Sequence, residues 1–306
     1  MVIDAGSTGS RAFVFKFVED GTGNRRVESI QGKKAVPGLS SFAANPEGVT
    51  DYFEPLFLHA VSRIPPQYHN ETIVYIKGTA GMRLLKQEEQ EGIWNSLVKG
   101  LAEHHNVPFI IHKENFGTID GHMEAYYAVL SSNYIAGSID GNLRRVPGEA
   151  MVGALDMGGS STQLIFHTET QAHQPVQEKD FWSHSWLNYG VEKVRDKVWD
   201  YLVVIGGHNP VVHNPCAHSG EEVKVASGHT LLGTGDRETC QQVIFRALWD
   251  GDAGPACGLQ HGTHQPCFVD NIRHPPVQGL NFYGMSVYYY AFDCIRHFGT
   301  TELAQW

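Results

Sequence analysis

The spacing of apolar positions changes several times along the chain, and each change predicts an element. Val2 and Ile3 end a buried strand that Asp4 stops with a carboxylate. Gly6-Ser-Thr-Gly-Ser10 is a small polar turn, and from Arg11 the alternation Ala-Phe-Val-Phe-Lys-Phe brings the chain back as a second strand. Residues 11–36 read as a strand, a turn near 21–24 and a further strand. Asn45-Pro46-Glu47 puts proline at a first helical position. Tyr52, Phe53, Leu56, Leu58 and Val61 then give the apolar face of a helix that Pro65-Pro66 ends. Strands are expected at Ile73-Val-Tyr-Ile-Lys77 and Pro108-Phe-Ile-Ile-His112, with a helix over 88–104 between them. Met123, Tyr127 and Leu130 follow a helical period in a helix that begins between Gly117 and Gly121. A polar loop over 138–149 leads to an apolar strand that ends in Asp156. Gly158-Gly-Ser-Ser-Thr162 turns the chain, and Gln163-Leu-Ile-Phe leaves it.

The first turn has two readings, a solvated hairpin tip or a phosphate site. Glycines let a backbone approach a ligand. Backbone N–H groups with the hydroxyls of Ser7, Thr8 and Ser10 suit phosphate oxygens, and an acid just before them suits the accompanying divalent cation. Asp156-Met-Gly158-Gly159-Ser160-Ser161-Thr repeats the design of Asp4-Ala-Gly-Ser7-Thr8-Gly9-Ser10. Two copies point to an internal duplication, two similar α/β domains that each present a phosphate hairpin. Between them, Gly78-Thr79-Ala80-Gly81-Met82-Arg83 joins a strand to a helix. Thr79 either caps that helix or offers its hydroxyl to an anion beside the Ala80 N–H. A lone Arg83 reads more readily as half of a structural ion pair. Glu124 on the next helix is a solvated acid unless other elements bring water and phosphate to it, and Asp120 and Glu114 are its rivals.

The 306 residues, 42% of them hydrophobic, suffice for two domains or one large one. A formal net charge of -10 and no basic run exclude a nucleic-acid binder, so no nucleic-acid partner is expected. The five cysteines, at 216, 240, 257, 267 and 294, include no CxxC pair and suit disulfides in an oxidising compartment. Asn70-Glu71-Thr72 is a glycosylation sequon, in agreement. No apolar run approaches the ~18 residues of a membrane span. The chain begins inside a strand and stops soon after a helical segment, so further sequence is expected on both sides.

Duplicated Asp-x-Gly hairpins resemble the actin, sugar-kinase and chaperone ATPase superfamily. The wording of the motifs is similar to the ecto-nucleoside triphosphate diphosphohydrolases, or apyrases, above all their intracellular Golgi and lysosomal branch. The resemblance rests on Asp4 to Arg11, Thr79 to Arg83, Asp156 to Gln163, the stretch 183–190, Gly233-Thr-Gly-Asp236 and Tyr283-Gly-Met-Ser-Val-Tyr-Tyr-Tyr290. The third motif departs from the family pattern. Met123-Glu124-Ala-Tyr-Tyr127 keeps the Glu, the second Tyr and, further on, Asn133, but replaces a Gly and a Trp.

The resemblance implies an α/β fold of two actin-like, ribonuclease H-like domains, 1–118 and 119–306, with a cleft between them. It implies hydrolysis of nucleoside di- or triphosphates with Mg²⁺ or Ca²⁺, gripped by Asp4 and Asp156 largely through waters. Ser7, Thr8, Gly9 and Ser10 would hold the phosphates from one side, and Gly158, Gly159 and Ser160 from the other. Glu124, helped by Ser161 and Gln163, would activate a water, with Thr79 and the Ala80 N–H in support. Tyr289 would stack the base, although tyrosines 288–290 read equally as core aromatics on a helix. The resemblance also implies disulfides Cys216–Cys240 and Cys257–Cys267. Cys294 would pair with a cysteine beyond residue 306, in a missing C-terminal helix that returns to the first domain. Localisation would be lumenal, in the Golgi, endomembranes or lysosome, or secreted, with contact to membrane only through flanking anchors absent from this chain. Exopolyphosphatase or guanosine pentaphosphate phosphatase chemistry and a non-catalytic actin-like nucleotide-binding module are the alternatives; a sugar kinase lacks its sugar-binding acid here.

Overall fold

The computed structural model describes residues 1–19, 21, 25–103, 107–168, 174–249 and 272–298. Strands β1 (Val2–Gly6), β2 (Gly9–Glu19) and β3 (Arg25–Ala35) form an antiparallel meander. A parallel neighbour for β1 needs a crossover, and α1 (Val49–Arg63) supplies it before β4 (Ile73–Gly78). The single turn α2 (Ala80–Arg83) and the helix α3 (Gln87–Glu103) then lead to β5 (Ile110–Thr118), and the sheet order is β3-β2-β1-β4-β5.

Alternation along β1 sends Ile3 and Ala5 into the core. There they join Phe53, Leu56, Phe57 and Ala60 of α1 and Ile93 and Leu97 of α3. That α1 stripe runs at i, i+3, i+4 and i+7, the spacing of one helix face. Leu58, expected on the apolar face, lies one position off the stripe and is 51% exposed. Because Ile3 and Ala5 take the core side of β1, Asp4 must take the other.

The next helix, α4 (Gly121–Ala136), starts a second layered half. It packs on β6 (Gly153–Met157), β7 (Ser161–His167) and β8 (Phe181–Leu187), which form another antiparallel meander. The buried stripe of α4 is Ala125, Ala128, Val129, Ser132 and Asn133, small residues that let the helix lie close to the sheet. The larger expected position Tyr127 is half-exposed instead.

By compactness the chain divides into Met1–Gly190 with the segment from Gly279 onward, and Val191–Gln278. The expected division near residue 118 falls between the two sheets, inside the larger unit. The smaller unit contains α5 (Val191–Gly206), β9 (Val211–Asn214), β10 (Glu222–Lys224), β11 (Thr230–Gly233) and α6 (Arg237–Trp249). Val198, Leu202, Val212, Leu231 and Val243 form its core. Back in the larger unit, β12 (Phe282–Ser286) pairs in parallel with β6, and α7 (Val287–Phe298) follows. The second sheet therefore reads β8-β7-β6-β12, the same arrangement as β3-β2-β1-β4. A meander whose first strand gains a parallel partner on its far side occurs in each half, which is the duplicated actin-like, ribonuclease H-like architecture. Among the described residues no helix is long and apolar enough to cross a membrane.

Cys216 and Cys240 form a disulfide across a separation of 24 residues in the smaller unit. Cys294 on α7 is a free, exposed thiol, and the expected Cys257–Cys267 pair lies outside the described residues. Closing a loop of that length stabilises by about 3 kcal/mol in the chain-entropy account. The C216A/C240A double variant is therefore expected to unfold at distinctly lower denaturant, and an unchanged midpoint would remove the disulfide from the stability of this unit.

Candidate active site

The two hairpins are built alike but braced differently. In the first, Gly6 pairs with Gly9, so Ser7 and Thr8 alone form the tip. Ser10, opposite Ala5 on the core side, is fully buried. Its N–H donates to Tyr52 Oη at 3.1 Å, its Oγ lies 3.0 Å from the same oxygen, and Tyr52 donates to the Pro37 carbonyl at 2.6 Å. The Ser10 hydroxyl thus secures the hairpin to α1 rather than facing a ligand, a correction to its expected phosphate contact. The glycines around the tip serve close packing. A Cβ on Gly38 would lie 2.0 Å from the Ser7 carbonyl oxygen, and one on Gly81 would lie 2.8 Å from the Ser7 Cα.

In the second hairpin Asp156 pairs with Gln163, the register position that Asp4 shares with Arg11. The wider tip closes with the Gly158 N–H donating to the Ser161 carbonyl at 3.0 Å. Behind it, a Cβ on Gly190 would sit 2.3 Å from Ser160 N. The Asn188 N–H donates to the Ser160 carbonyl at 2.8 Å, and Thr162 Oγ1 donates to the Tyr189 carbonyl at 2.6 Å. Residues 188–190 therefore hold the Gly159–Ser160–Ser161 backbone from behind.

The start of α4 decides among the rival acids. Asp120 is the N-cap, its Oδ1 accepting from the Met123 N–H at 2.8 Å. Glu114 lies on β5 with its side chain 76% exposed. Glu124, in the first turn of α4, is the acid that enters the cluster. Arg83 Nη2 lies 2.8 Å from Glu124 Oε2, and Gln163 Nε2 lies 3.1 Å from the same oxygen. Gln163 Nε2 also reaches Ser161 Oγ at 2.7 Å and Ser185 Oγ at 2.9 Å. Arg83 is fixed by the Ile119 carbonyl at 3.1 Å and by Ser161 Oγ at 3.2 Å. Gly121 permits this closeness, since a Cβ there would meet Ser185 Oγ at 2.3 Å. The ion pair expected of Arg83 exists, and its partner is the candidate base.

Sequence reading gave Ser185 no role of its own. It sits opposite Gln163 on β8, and alternation along Ser183-His-Ser185 was the signal for a hydroxyl on that face.

Burial is the main reason that Glu124 is pushed up to about 7; Arg83 pulls it down, and Asp156 and Asp4 push it further up. Asp4 rises to about 6, again through burial, opposed by Arg11 at 4.0 Å and reinforced by Asp156. Its side chain keeps 46% of its surface, so Asp4 opens to solvent while protein crowds it. Asp156 also rises through burial, opposed by a hydrogen bond from Ser286. Asp4 and Asp156 thus disfavour the charge of Glu124, and Asp156 that of Asp4. Asp156 Oδ1 is buried without a hydrogen-bond partner.

An orphaned carboxylate oxygen beside a second carboxylate fits a hard divalent cation. Among the described residues no three or more His, Cys, Asp or Glu side chains are placed to hold a metal ion together. The protein would therefore contribute Asp4 and Asp156 and leave the other positions to water and ligand oxygens.

The remaining expected residues are placed as follows. Thr79 precedes α2 but makes no side-chain cap bond, and its N–H donates to the Ala5 carbonyl at 3.2 Å. Ala80 is buried at the start of α2, whose four residues are too few for a helix dipole to add much. Tyr289 is exposed and edge-on to Tyr290 at 5.4 Å. Tyr288 is the tyrosine close enough to Asp156 for that carboxylate to disfavour its ionisation, after burial.

Two halves of one architecture, each carrying an acid on its first strand ahead of a small-residue turn, define a duplicated actin-like fold. The chain belongs to the GDA1/CD39 (nucleoside phosphatase) family, whose model matches residues 1–305. A guanosine-diphosphatase of Schizosaccharomyces pombe is 27% identical over 319 residues, covering 92% of this chain and 56% of that protein. A Golgi apyrase of the same organism is 27% identical over 336 residues, covering 97% of this chain and 56% of that protein. The chain thus spans about half the length of these curated relatives. The crystal structure of nucleoside triphosphate hydrolases from Neospora caninum shares the fold, with a TM-score of 0.67 at 15% identity, over 99% of this chain and 75% of that one.

In metal-free protein the Glu124 carboxyl, followed by isotope-edited spectroscopy, is expected to titrate near 7. Arg83→Met removes the charge that holds it down, so the midpoint moves to higher pH. A midpoint near the ordinary value of 4.5, or no movement in the variant, would contradict this arrangement.

Proposed function

We propose that the chain hydrolyses the terminal phosphate of nucleoside di- or triphosphates with a divalent cation, and that Glu124 is the general base. The observation that carries this reading is the meeting of Glu124 with Arg83, Gln163 and Ser161 in a site that also holds Asp4 and Asp156. Ser7, Thr8 and Gly9 offer one phosphate cradle, and Gly158, Gly159 and Ser160 offer the other. Asp4 and Asp156 would hold Mg²⁺ or Ca²⁺, and the bound cation would supply neutralisation of the phosphate charge.

Ser161 Oγ and the Gln163 amide orient a water against Glu124. The water oxygen forms a bond to the terminal phosphorus while the bond from phosphorus to the bridging oxygen breaks. The water proton passes to Glu124, the water oxygen ends in the released inorganic phosphate, and the leaving nucleoside mono- or diphosphate keeps the bridging oxygen. Thr79 Oγ1 and the Ala80 N–H support the transferring phosphate. Most of the rate then comes from positioning and charge compensation. Arg83 keeps Glu124 in place and more acidic than burial alone would allow. Tyr289 is exposed and presents a face on which any base can stack, which suits broad base tolerance.

The compartment belongs to the same reading. The Cys216–Cys240 disulfide and exposed Asn70 in its sequon suit an oxidising, glycosylating lumen of the Golgi, endomembranes or lysosome, or the exterior.

Phosphate release is to be measured on a panel of nucleoside di- and triphosphates and on polyphosphate, with Mg²⁺, Ca²⁺ or EDTA. Nucleotide hydrolysis abolished by EDTA is expected, and Glu124→Gln should lower kcat by about 10²–10⁴-fold. Hydrolysis of polyphosphate alone would overturn the substrate assignment. A Glu124→Gln variant as active as the parent would overturn the base.

A further inference from the structure

Ser286 combines two features that the proposed chemistry does not use. It ends β12 with φ of 54°, one of three non-glycine residues with positive φ among the described residues. Side chains disfavour that conformation because the Cβ crowds the backbone, and glycine would adopt it freely. Ser286 is also hydrogen-bonded to Asp156. The parallel register of β12 on β6 pairs Met285 with Asp156 and Ser286 with Met157, so the left-handed turn comes one residue beyond the acid. A serine there leaves one Asp156 oxygen, Oδ1, buried and unpartnered.

We infer that Ser286 is a positioning residue for Asp156: its hydroxyl fixes the carboxylate so that Oδ1 stays directed to a divalent cation and its waters. The inference rests on the reading of Asp4 and Asp156 as the cation's carboxylates. A carboxylate with neither oxygen held can swing toward other donors, and a cation bound through waters depends on that orientation more than one gripped directly. Partners that orient metal-holding groups commonly change metal affinity about 10–100-fold when removed. Ser286 immediately precedes α7, so the helix that carries Tyr288, Tyr289 and Tyr290 is tied to the carboxylate through one side chain.

The test separates the hydroxyl from the backbone. Ser286→Gly relaxes the positive φ and deletes the hydroxyl; Ser286→Asn tolerates the conformation and restores a hydrogen-bond donor. Mn²⁺ is the probe, its binding followed by electron paramagnetic resonance with a non-hydrolysable nucleotide present, and Asp156→Asn is the reference.

Ser286→Gly is expected to weaken Mn²⁺ about 10–100-fold while its melting temperature is kept or raised, and Ser286→Asn to recover part of the loss. If Asp156→Asn weakens Mn²⁺ and Ser286→Gly binds like the parent, the positioning role is overturned and the cation assignment stands. If Asp156→Asn also binds Mn²⁺ like the parent, the cation assignment itself falls, and this inference with it.

Discussion

Three carboxylates brought into one partly buried place must be compensated, and much of the larger unit is arranged around that requirement. Asp4, Asp156 and Glu124 each have their charge disfavoured by burial, and the charges of Asp4 and Asp156 both bear on Glu124. The protein compensates them unevenly. Glu124 receives an arginine at 2.8 Å, Asp4 an arginine at 4.0 Å, and Asp156 a serine hydroxyl with one oxygen left unpartnered. Removing one partner of a buried charge is costlier than the net worth of the pair. Arg83 on α2, Arg11 on β2 and Ser286 on β12 supply that compensation, and a divalent cation would complete the balance.

The duplication explains the geometry, and its broken symmetry explains the chemistry. Each half runs its first strand to an acid and turns through small residues. Each then sets one side chain directly across from the acid, Arg11 in the first half and Gln163 in the second. Arginine there screens the acid itself. Glutamine instead turns its amide to Glu124, Ser161 and Ser185. One register position, occupied by a cation in one copy and a neutral amide in the other, thus serves the facing acid in the first half and the Glu124 cluster in the second. The bracing is equally local: Tyr52 and Gly38 fix the first tip, Gly190 and the 188–190 backbone the second.

The repeated hairpins and the sheet-forming segments were legible because strand alternation and small-residue turns are local signals. Asp4, Asp156, Glu124 and Gln163 could be picked out from their wording. Other features depended on contacts between distant segments, which no local pattern encodes. Ser10 looked like one more hydroxyl of a phosphate turn; only its pairing with Ala5 reveals that it faces Tyr52. Arg83 looked like half of an anonymous ion pair until α4 delivered Glu124 to it. Tyr127 and Leu58 fitted helical periods but lie off the buried stripes, because α4 meets its sheet with small residues and α1 with Phe57 and Ala60. The roles of Gly38, Gly121 and Gly190 are set by what a Cβ would strike, which is tertiary information.

In the proposed reaction, water held by Glu124 attacks the terminal phosphorus directly, with no phosphorylated side chain between. The stereochemical course at that phosphorus tests it most directly, using a nucleotide whose terminal thiophosphate is made chiral with oxygen isotopes and hydrolysed in labelled water. Inversion of configuration is the result this account predicts. Retention, which requires two successive displacements through an enzyme-bound phosphoryl group, would contradict it.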